Sequence, residues 1–348
     1  MHQIPDLTLS GSVVLFAVAA VLIVIFGTKT THVAATLAQK TRLGEALMGV
    51  LFVGAFTSLA EIATTITAAT NNYPQLAVSN AIGSIAGQTA FLAVVDFTYR
   101  KANLEHAAAS AENLTISAFL MTLLALPLLA LAYPEVELFG IHPMTPVIVL
   151  VYIFGLKLIS RSADRPMWHP QMTRETRTSQ DIKTDKRYAN SKQSLLWLWF
   201  FLFAVVMAAS GWALAVSAIA ISHHTHMSET LAGVLLTGLV SSLPELITAY
   251  AAVRIGALTL AVGNILGGNA FDTLLVALAD VTYAPGSIYA ALQPQQHFLL
   301  ALTLVMTGTI LLGMLQRQKH GFANIGLESS IVLMLYGGGV AWLAWAPV

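Results

Sequence analysis

The sequence predicts an all-α integral membrane protein of about ten transmembrane helices, arranged as two inverted five-helix repeats. Three observations lead to this fold class: an apolar composition, a series of long apolar segments and an internal repeat. Of the 348 residues, 56% are hydrophobic and only 10% are charged, whereas about one quarter are charged in soluble domains. A chain of this composition is expected to fold with lipid as its main surroundings.

Ten apolar segments follow one another along the chain, most of them near the roughly 20 residues that a helix needs to cross the hydrocarbon of a bilayer. They lie at 10–28, 44–70, 75–99, 114–133, 143–160, 194–221, 230–253, 257–281, 296–315 and 325–346.

The positive charges predict the orientation of these spans. All 17 Lys and Arg lie in or beside the alternate loops, including 29–43, 100–113, 161–193 and 316–324. Because cytoplasmic loops carry the excess of Lys and Arg, we expect these loops inside and both termini on the non-cytoplasmic side. The expected location is the plasma (cell inner) membrane.

The internal repeat predicts two halves. Residues 45–96 align without a gap on 229–280 at an offset of 184, and 20 of the 52 aligned pairs are identical. The basic segment 161–193 is then a cytoplasmic linker between a first half, 1–160, and a second half, 194–348. An odd number of spans separates the copies, so the second is inverted relative to the first.

Each repeat carries a glutamate at mid-span with hydroxyl groups three and four residues before it. These are Glu61 with Thr57 and Ser58, and Glu245 with Ser241 and Ser242. Residues at this spacing share a helix face, and hard oxygen donors are what Ca²⁺ and Na⁺ require. An ionisable group inside a membrane costs several kcal/mol and indicates a functional site. Pro244 predicts a kink that frees backbone carbonyls.

A second polar element follows in each repeat. It contains Asn80, Gly83, Ser84 and Gln88 in the first copy, and Asn264, Gly267 and Asp272 in the second. The glycines and asparagines are expected at helix contacts. Gln88 and Asp272 each lie 27 residues after the glutamate of their own copy. We therefore expect Glu61, Gln88, Glu245 and Asp272 to point at one central cation site.

Three of these four groups are acidic, and bare carboxylates in a low-dielectric interior repel one another. One Ca²⁺ with one proton, or three monovalent cations, would neutralise them. Competition between the two fillings would produce exchange, with Glu61, Glu245 and Asp272 as the metal ligands.

These residues give the chain a resemblance to the calcium/cation antiporter superfamily, and within it to the sodium/calcium exchangers. Two copies of a Thr/Ser-Ser-Leu-x-Glu element, each followed by Asn-x-x-Gly, carry the resemblance. It implies that cation-binding roles fall on Glu61, Glu245, Thr57, Ser58, Ser241, Ser242, Ser84, Gln88 and Asp272. The neutral Gln88 resembles the potassium-independent branch.

Several positions depart from the family pattern. Ala60 replaces a usual proline, Ile85 an asparagine and Gly268 a serine, so the first repeat is the less orthodox one. Sodium sites that would use Ser84 and Gly268 are therefore uncertain. Neither copy has the Gly-Asn-x-x-Glu pattern that is usual in proton-coupled relatives.

The sequence favours exchange of Ca²⁺ for Na⁺ by alternating access. Exchange of Ca²⁺ or another divalent cation for H⁺ is the alternative, and a divalent-cation channel is a remote one. No hydrolase or P-loop motif is present, so we predict neither an enzyme nor a bound cofactor. The expected partners are small cations and the bilayer, with no nucleic acid; the oligomeric state, the stoichiometry and the direction of net flux stay open.

Two further features have a structural and a functional interpretation. His223, His224 and His226 suit a solvated loop better than a transition-metal site. Asp96 and Asp280, equivalent in the repeat, suit capping or snorkelling positions better than an ion path.

Overall fold

The computed structural model describes residues 7–41, 58–99, 102–164, 171, 188, 191–318 and 326–345. These ranges are almost entirely helical, and their only extended pairing is an isolated bridge between Leu138 and Ile141. Thr57 and most of the predicted linker 161–193 lie outside the described residues.

Twelve α-helices are numbered here in chain order over the described ranges. They are α1 (Leu9–Thr41), α2 (Leu59–Thr70), α3 (Pro74–Asp96), α4 (Leu104–Ala107), α5 (Ala111–Ala132), α6 (Met144–Asp164), α7 (Gln193–Thr225), α8 (Glu229–Ser241), α9 (Leu243–Arg254), α10 (Leu258–Thr282), α11 (Pro294–Gln316) and α12 (Leu327–Trp345). A short 3₁₀ helix, Ile288–Ala291, precedes α11.

The helix bounds repeat at the offset found in the sequence. Helix α7 begins and ends 184 residues after α1, and both contain 33 residues. Helices α2 and α9, each of 12 residues, are related by the same offset. So are α4 and the 3₁₀ helix. The repeat therefore extends from α1 through the whole of each half, well beyond the two segments that align in sequence.

Long apolar helices support the membrane assignment. Within the described ranges, seven helices are long and apolar enough to cross a membrane, or eight if α8 and α9 form one bent span. Helix α6 has a shorter apolar stretch, Met144–Ile159. Each of the ten predicted spans overlaps a described helix, but the count of ten stays a prediction.

Helices α1 and α7 form a packing unit of their own. Val33 and Leu37 of α1 pack on Leu196 and Phe200 of α7 in one apolar cluster. A second cluster joins the same two helices to Ala60 of α2. The main core is built from the other helices together with Ile219 of α7, and among the described residues α1 contributes none of its buried side chains. The fold therefore consists of a helix pair set against a larger helical body.

A symmetric pair of close contacts joins the two bodies. A Cβ atom added to Gly27 of α1 would lie 2.5 Å from Pro244 Cγ, and one added to Gly211 of α7 would collide with the carbonyl oxygen of Ala60. Gly27 and Gly211 are equivalent in the repeat, as are Ala60 and Pro244. Both contacts lie one residue before a site glutamate, so the helix pair touches the body at the candidate site.

Asp96 and Asp280 fix the ends of α3 and α10. Asp96 accepts hydrogen bonds from the backbone N–H groups of Leu104, at 2.6 Å, and Gly326, at 3.0 Å. Asp280 accepts from Ile288 N and His142 N, both at 2.8 Å. Each aspartate thereby ties its helix to the next short helix and to a loop from the opposite half. This is the capping interpretation of the two residues.

The contact at Gly211 generates a prediction about stability. Gly211→Ala should force α7 away from α2 and lower the free energy of unfolding by about 1–3 kcal/mol. The measurement is thermal unfolding in detergent. Gly337→Ala is the matched control, because a Cβ atom there meets nothing within 4 Å. Equal stability of the two variants would contradict the described packing.

Candidate functional site

Both site glutamates lie in the first turn of a helix that begins inside the molecule. Glu61 is the third residue of α2, and Glu245 is the third residue of α9. Ser58 and Ser242 precede these helices at the N-cap positions. Helix N-termini carry unpaired N–H groups and the positive end of the helix dipole. The two helices therefore offset part of the carboxylate charge that the site buries.

The second repeat shows how the chain breaks before its glutamate. Helices α8 and α9 meet at a bend of 44° at Ser242. Pro244 stands in the first turn of α9, where its missing N–H costs little. Residues Ala232–Gly238 of α8 form a π-helix, a rare conformation that is frequent at functional sites.

Two glycines of the π-helix allow it to approach α3 closely. A Cβ atom on Gly233 would lie 2.7 Å from Ser79 Cβ, and one on Gly238 would lie 2.7 Å from Ser84 N. From the other side, a Cβ atom on Gly83 would lie 2.7 Å from Val234 Cα. This contact brings Ser241 and Ser242 next to the residues of α3 that belong to the first repeat.

Asp272, from the second repeat, is held by residues of the first. Ser58 Oγ donates to Asp272 Oδ1 at 2.6 Å, and Gln88 Nε2 donates to Asp272 Oδ2 at 2.9 Å. Gln88 Nε2 also lies 3.3 Å from Ser242 Oγ. Gln88 and Asp272 are equivalent positions, 184 residues apart, so the repeat axis passes close to this hydrogen bond.

Glu61, from the first repeat, is held in turn by residues of the second. Ser242 Oγ donates to Glu61 Oε1 at 2.7 Å, and Ser241 Oγ donates to the same atom at 3.2 Å. Each half thus supplies the hydroxyl groups that bind the carboxylate of the other half. Neither half holds this set of contacts alone.

The three carboxyl groups are enclosed by protein. Glu61 and Asp272 are fully buried, and Glu245 is 3% exposed. Glu61 and Asp272 are linked through Ser242 and Gln88, because Gln88 Nε2 lies near Ser242 Oγ and donates to Asp272 Oδ2, and Ser242 Oγ donates to Glu61 Oε1. Among the described residues, no three His, Cys, Asp or Glu side chains already form a metal-binding group. The carboxyl groups must therefore come closer together if all three are to bind one ion.

Other predicted residues lie around the carboxyl groups in different roles. Ser84 donates to its own helix at Ala81 O, at 2.9 Å. Asn80 ties α3 to α2 through Thr65 Oγ1 at 3.0 Å and Glu61 O at 3.4 Å. Asn264 is only half-buried. Gly267 is buried within α10. Thr57 is outside the described residues.

The structure adds polar contacts that the sequence argument did not include. Asn269 Nδ2 donates to Thr89 Oγ1 at 3.1 Å, which joins α10 to α3 one residue beyond Gln88. Thr64 Oγ1 donates to Gly211 O at 3.0 Å, which joins α2 to α7. Thr64 and Thr89 are each identical to the residue at the equivalent position of the second repeat, Thr248 and Thr273. This identity is the sequence signal that points to them.

The histidines at the end of α7 make separate contacts. His223 Nε2 lies 3.0 Å from the Tyr73 hydroxyl, and His224 Nε2 lies 2.8 Å from Leu7 O. These two histidines therefore point at different partners in the described structure.

A family model now accounts for most of the chain. The model described as sodium/calcium exchanger protein matches residues 11–159 and 195–345. The chain belongs to this family. The resemblance that the repeated glutamate motifs indicated is thereby confirmed, and the two matched regions flank the basic segment between the halves.

Curated relatives match over part of their length. The putative antiporter CaxA of Alkalimonas amylolytica is 32% identical over 143 residues, which are 40% of this chain and 43% of that protein. The inner membrane protein YrbG of Escherichia coli K12 is 26% identical over 147 residues, 42% of either chain. The matched regions thus span less than half of these relatives.

Solved structures share the fold over nearly the whole chain. The H⁺/Ca²⁺ exchanger CAX superposes with a TM-score of 0.71 at 15% identity, covering 97% of this chain and 82% of that one. The sodium-calcium exchanger NCX_Mj superposes with a TM-score of 0.59 at 17% identity, covering 98% and 100%. At these identities the likeness supports the all-helical fold with inverted repeats.

The two asparagines of the repeat allow a matched test of the site's packing. Asn80→Ala should lower the free energy of unfolding by about 1–3 kcal/mol, because Thr65 and the α2 backbone lose a buried donor. Asn264→Ala should cost less, since Ala249 stands where the first repeat has Thr65. Thermal unfolding of both variants in detergent measures the difference. A larger loss in Asn264→Ala would contradict this arrangement.

Proposed function

We propose that this protein is a secondary-active antiporter that exchanges Ca²⁺ for Na⁺ at the site formed by Glu61, Glu245 and Asp272. The observation that carries the proposal is the crossed arrangement of the site. Serines of one half bind the carboxyl group of the other, with Ser58 on Asp272 and Ser242 on Glu61. The transported cations are substrates, and the mechanism uses no cofactor.

The chemistry of the site supports Ca²⁺ as one substrate. Carboxylate, hydroxyl and amide oxygens are the hard ligands that Ca²⁺ prefers. The site contains three carboxyl groups and the oxygen atoms of Ser58, Ser241, Ser242 and Gln88. Three negative charges that are buried in one region of the protein require a cation or protons to offset them. A divalent ion supplies two charges at one point.

The packing supports alternating access. Helices α1 and α7 pack on each other in two clusters outside the main core, to which α7 adds only Ile219 among the described residues, and they meet the body at Gly27 and Gly211. Movement of this pair along α2 and α9 would expose the site first to one side and then to the other. Such rocking of one helix group around a midplane site is how inverted-repeat transporters work.

The two equivalent helices differ in burial, as alternating access requires of a single state. On α2, Thr64 and Thr67 are buried. Their counterparts on α9 are less covered: Thr248 is half-buried and Ala251 is exposed. We infer a state in which the protein covers α2 more completely than it covers α9 near Arg254, on the expected cytoplasmic side.

The proposal includes the arrangement of the chain into two halves and a linker. We propose a first half, 1–160, a cytoplasmic linker, 161–193, and a second half, 194–348, with both termini outside the cytoplasm. The family and the apolar helices establish an integral membrane protein. The proposed orientation rests on the distribution of Lys and Arg, and the plasma membrane is the location proposed for the protein.

Exchange of Ca²⁺ for H⁺ is the second candidate, and the enclosure of the carboxyl groups favours it. Glu61 and Asp272 are both fully buried and are joined through Ser242 and Gln88. Buried carboxyl groups that lie near one another bind a proton more readily than an isolated carboxylate does. A site that releases Ca²⁺ could then return with protons on this pair.

Transport into proteoliposomes distinguishes the counter-ions. We expect radioactive Ca²⁺ to accumulate when an outward Na⁺ gradient is imposed, and not when an outward proton gradient is imposed without Na⁺. Accumulation under the proton gradient alone would contradict Na⁺ coupling and support the second candidate. Uptake that needs no gradient and saturates at equilibrium would indicate a channel.

Variants of the carboxyl groups test the site in the same assay. Glu61→Gln, Glu245→Gln and Asp272→Asn should each lower the exchange rate by about a hundredfold or more, because loss of a metal-site partner costs 10–100-fold even outside the ligand shell. Glu135→Gln is the matched control, since Glu135 is exposed. Normal exchange in the three site variants would show that the cation binds elsewhere.

A further inference from the structure

A second set of carboxyl groups is buried away from the proposed transport site. Glu105 of α4 is 5% exposed, and Glu328 of α12 is 6% exposed. They meet beside Asp96, at the end of α3 that leads into the basic loop at Arg100. Asp96 lies two helical turns beyond Gln88, so this cluster is separate from the proposed transport site.

The two glutamate side chains converge on the backbone of the second half, at Gly313 and Gly326. A Cβ atom on Gly326 would lie 3.1 Å from Glu105 Oε2 and 3.3 Å from Glu328 Oε2. A Cβ atom on Gly313 would lie 2.7 Å from Glu328 Cγ and 3.2 Å from Glu105 Cγ. Both carboxyl groups therefore border one small space, which the absence of side chains at two glycines leaves open.

One oxygen atom in this space lacks a hydrogen-bond donor. Ser329 Oγ donates to Glu105 Oε1 at 2.6 Å. Glu105 Oε2 is buried and has no hydrogen-bond partner within the described chain. An unpaired buried carboxylate oxygen is costly. A proton on this oxygen removes the charge and supplies the missing hydrogen bond.

The other half shows that the fold does not need these carboxyl groups. Asp280 ties the end of α10 as Asp96 ties the end of α3. At the 184-residue offset, Tyr289 stands where the first half has Glu105, and Met144 stands at the position equivalent to Glu328. Tyr289 is buried, as Glu105 is. Glu105 and Glu328 are thus an acidic addition on one side of the protein only.

The described neighbours leave the carboxyl pair without a cation. Both oxygens of Asp96 accept backbone N–H groups. The ring of His106 is engaged with Arg317 O, through its Nδ1 atom. The Arg317 guanidinium group donates to the carbonyl oxygens of Gln171 and His106. Burial, and next the charge of Asp96, raise the pKa of Glu105 to about 7, although the Ser329 hydroxyl acts in the opposite direction.

We propose that Glu105 and Glu328 form a proton-binding site that regulates the protein from the side of its basic loops. With the proton bound to Glu105, the pair carries one negative charge instead of two. Loss of the proton leaves adjacent buried charges that repel each other. The repulsion acts between α4 and the start of α12. Asp96 ties both segments to α3, because it accepts hydrogen bonds from Leu104 N and Gly326 N. Because α3 carries Gln88, ionisation of the pair changes the geometry of the distant site.

The sign of the pH effect follows from linkage. The folded protein binds the proton more tightly than the unfolded chain does, because the pKa of Glu105 is raised on folding. This contribution to stability is complete at acidic pH and is lost as the pH rises toward about 7. Glu105→Gln imitates the protonated state, so its stability should not fall over that interval.

The test is infrared difference spectroscopy of the purified protein between about pH 5 and about pH 9, which detects the carbonyl band of a protonated carboxyl group. We expect a band that disappears with a midpoint near 7. The component with this midpoint should be absent in Glu105→Gln, and its midpoint should lie at lower pH in Glu328→Gln, because the neighbouring charge is removed. Glu135→Gln should leave it unchanged.

Three results would overturn the proposal: a component with a midpoint near 7 that persists in Glu105→Gln, a midpoint that Glu328→Gln does not change, or the absence of a carboxyl group titrating near neutral pH. Displacement of the proton by Ca²⁺ or Mn²⁺ in both wild type and Glu61→Gln would show a cation site instead. This readout needs no transport, so it succeeds or fails independently of the proposed exchange.

A transport measurement tests the regulatory part. With the inner pH of the vesicles fixed, changing the pH on the side of the basic loops between about 6 and 8 should change the exchange rate severalfold in wild type. The profile should be flat in Glu105→Gln and unchanged in Glu135→Gln. An identical profile in Glu105→Gln and wild type would show that the proton site does not act on transport.

Discussion

The structure depends on one electrostatic constraint: three carboxyl groups are buried close together in a molecule that is surrounded by lipid. Glu61, Asp272 and Glu245 are almost completely enclosed. Neither lipid nor the apolar core can solvate their charge. The protein meets the constraint with serine hydroxyls, the Gln88 amide and the N-termini of α2 and α9. The remaining charge has to be offset by ions that bind and dissociate. Such a site is suited to exchange.

Duplication explains how the chain builds a site with three buried carboxyl groups, because each half contributes equivalent helices to it. Each half supplies one helix that begins with a capping serine and a glutamate, and one helix that carries Gln88 or Asp272. The hydrogen bonds cross between the halves, so the site exists only at their interface. The halves have also diverged. The second has Pro244 and Asp272, and it bends at Ser242, whereas the first has Ala60 and Gln88 and a more deeply buried α2.

Much of the fold and part of the site could be predicted from the sequence. Charged residues in apolar segments are a strong signal of a functional site, because an ionisable group inside a membrane is costly. Identical polar residues at one offset are a strong signal of an internal repeat. The crossed pairing of Ser58 with Asp272 and of Ser242 with Glu61 could not be derived, since spacing along one helix says nothing about which helix faces it. Equivalent positions also do not keep equivalent contacts: Asn80 binds Thr65, whereas Ala249 stands at the position equivalent to Thr65 in the second repeat. The roles of Ser84 and Asn264 stay predictions. The π-helix at Ala232–Gly238 depends on tertiary packing of glycines against α3.

The central claim is that one interfacial site binds Ca²⁺ and the counter-ion in competition. Titration calorimetry of Ca²⁺ into the purified protein in detergent, repeated at rising Na⁺ and then at falling pH, measures this directly. The account predicts binding of one Ca²⁺ per chain, an apparent affinity that falls as Na⁺ rises, and no binding in Glu61→Gln. Ca²⁺ binding that persists in Glu61→Gln, or that neither Na⁺ nor protons weaken, would contradict it.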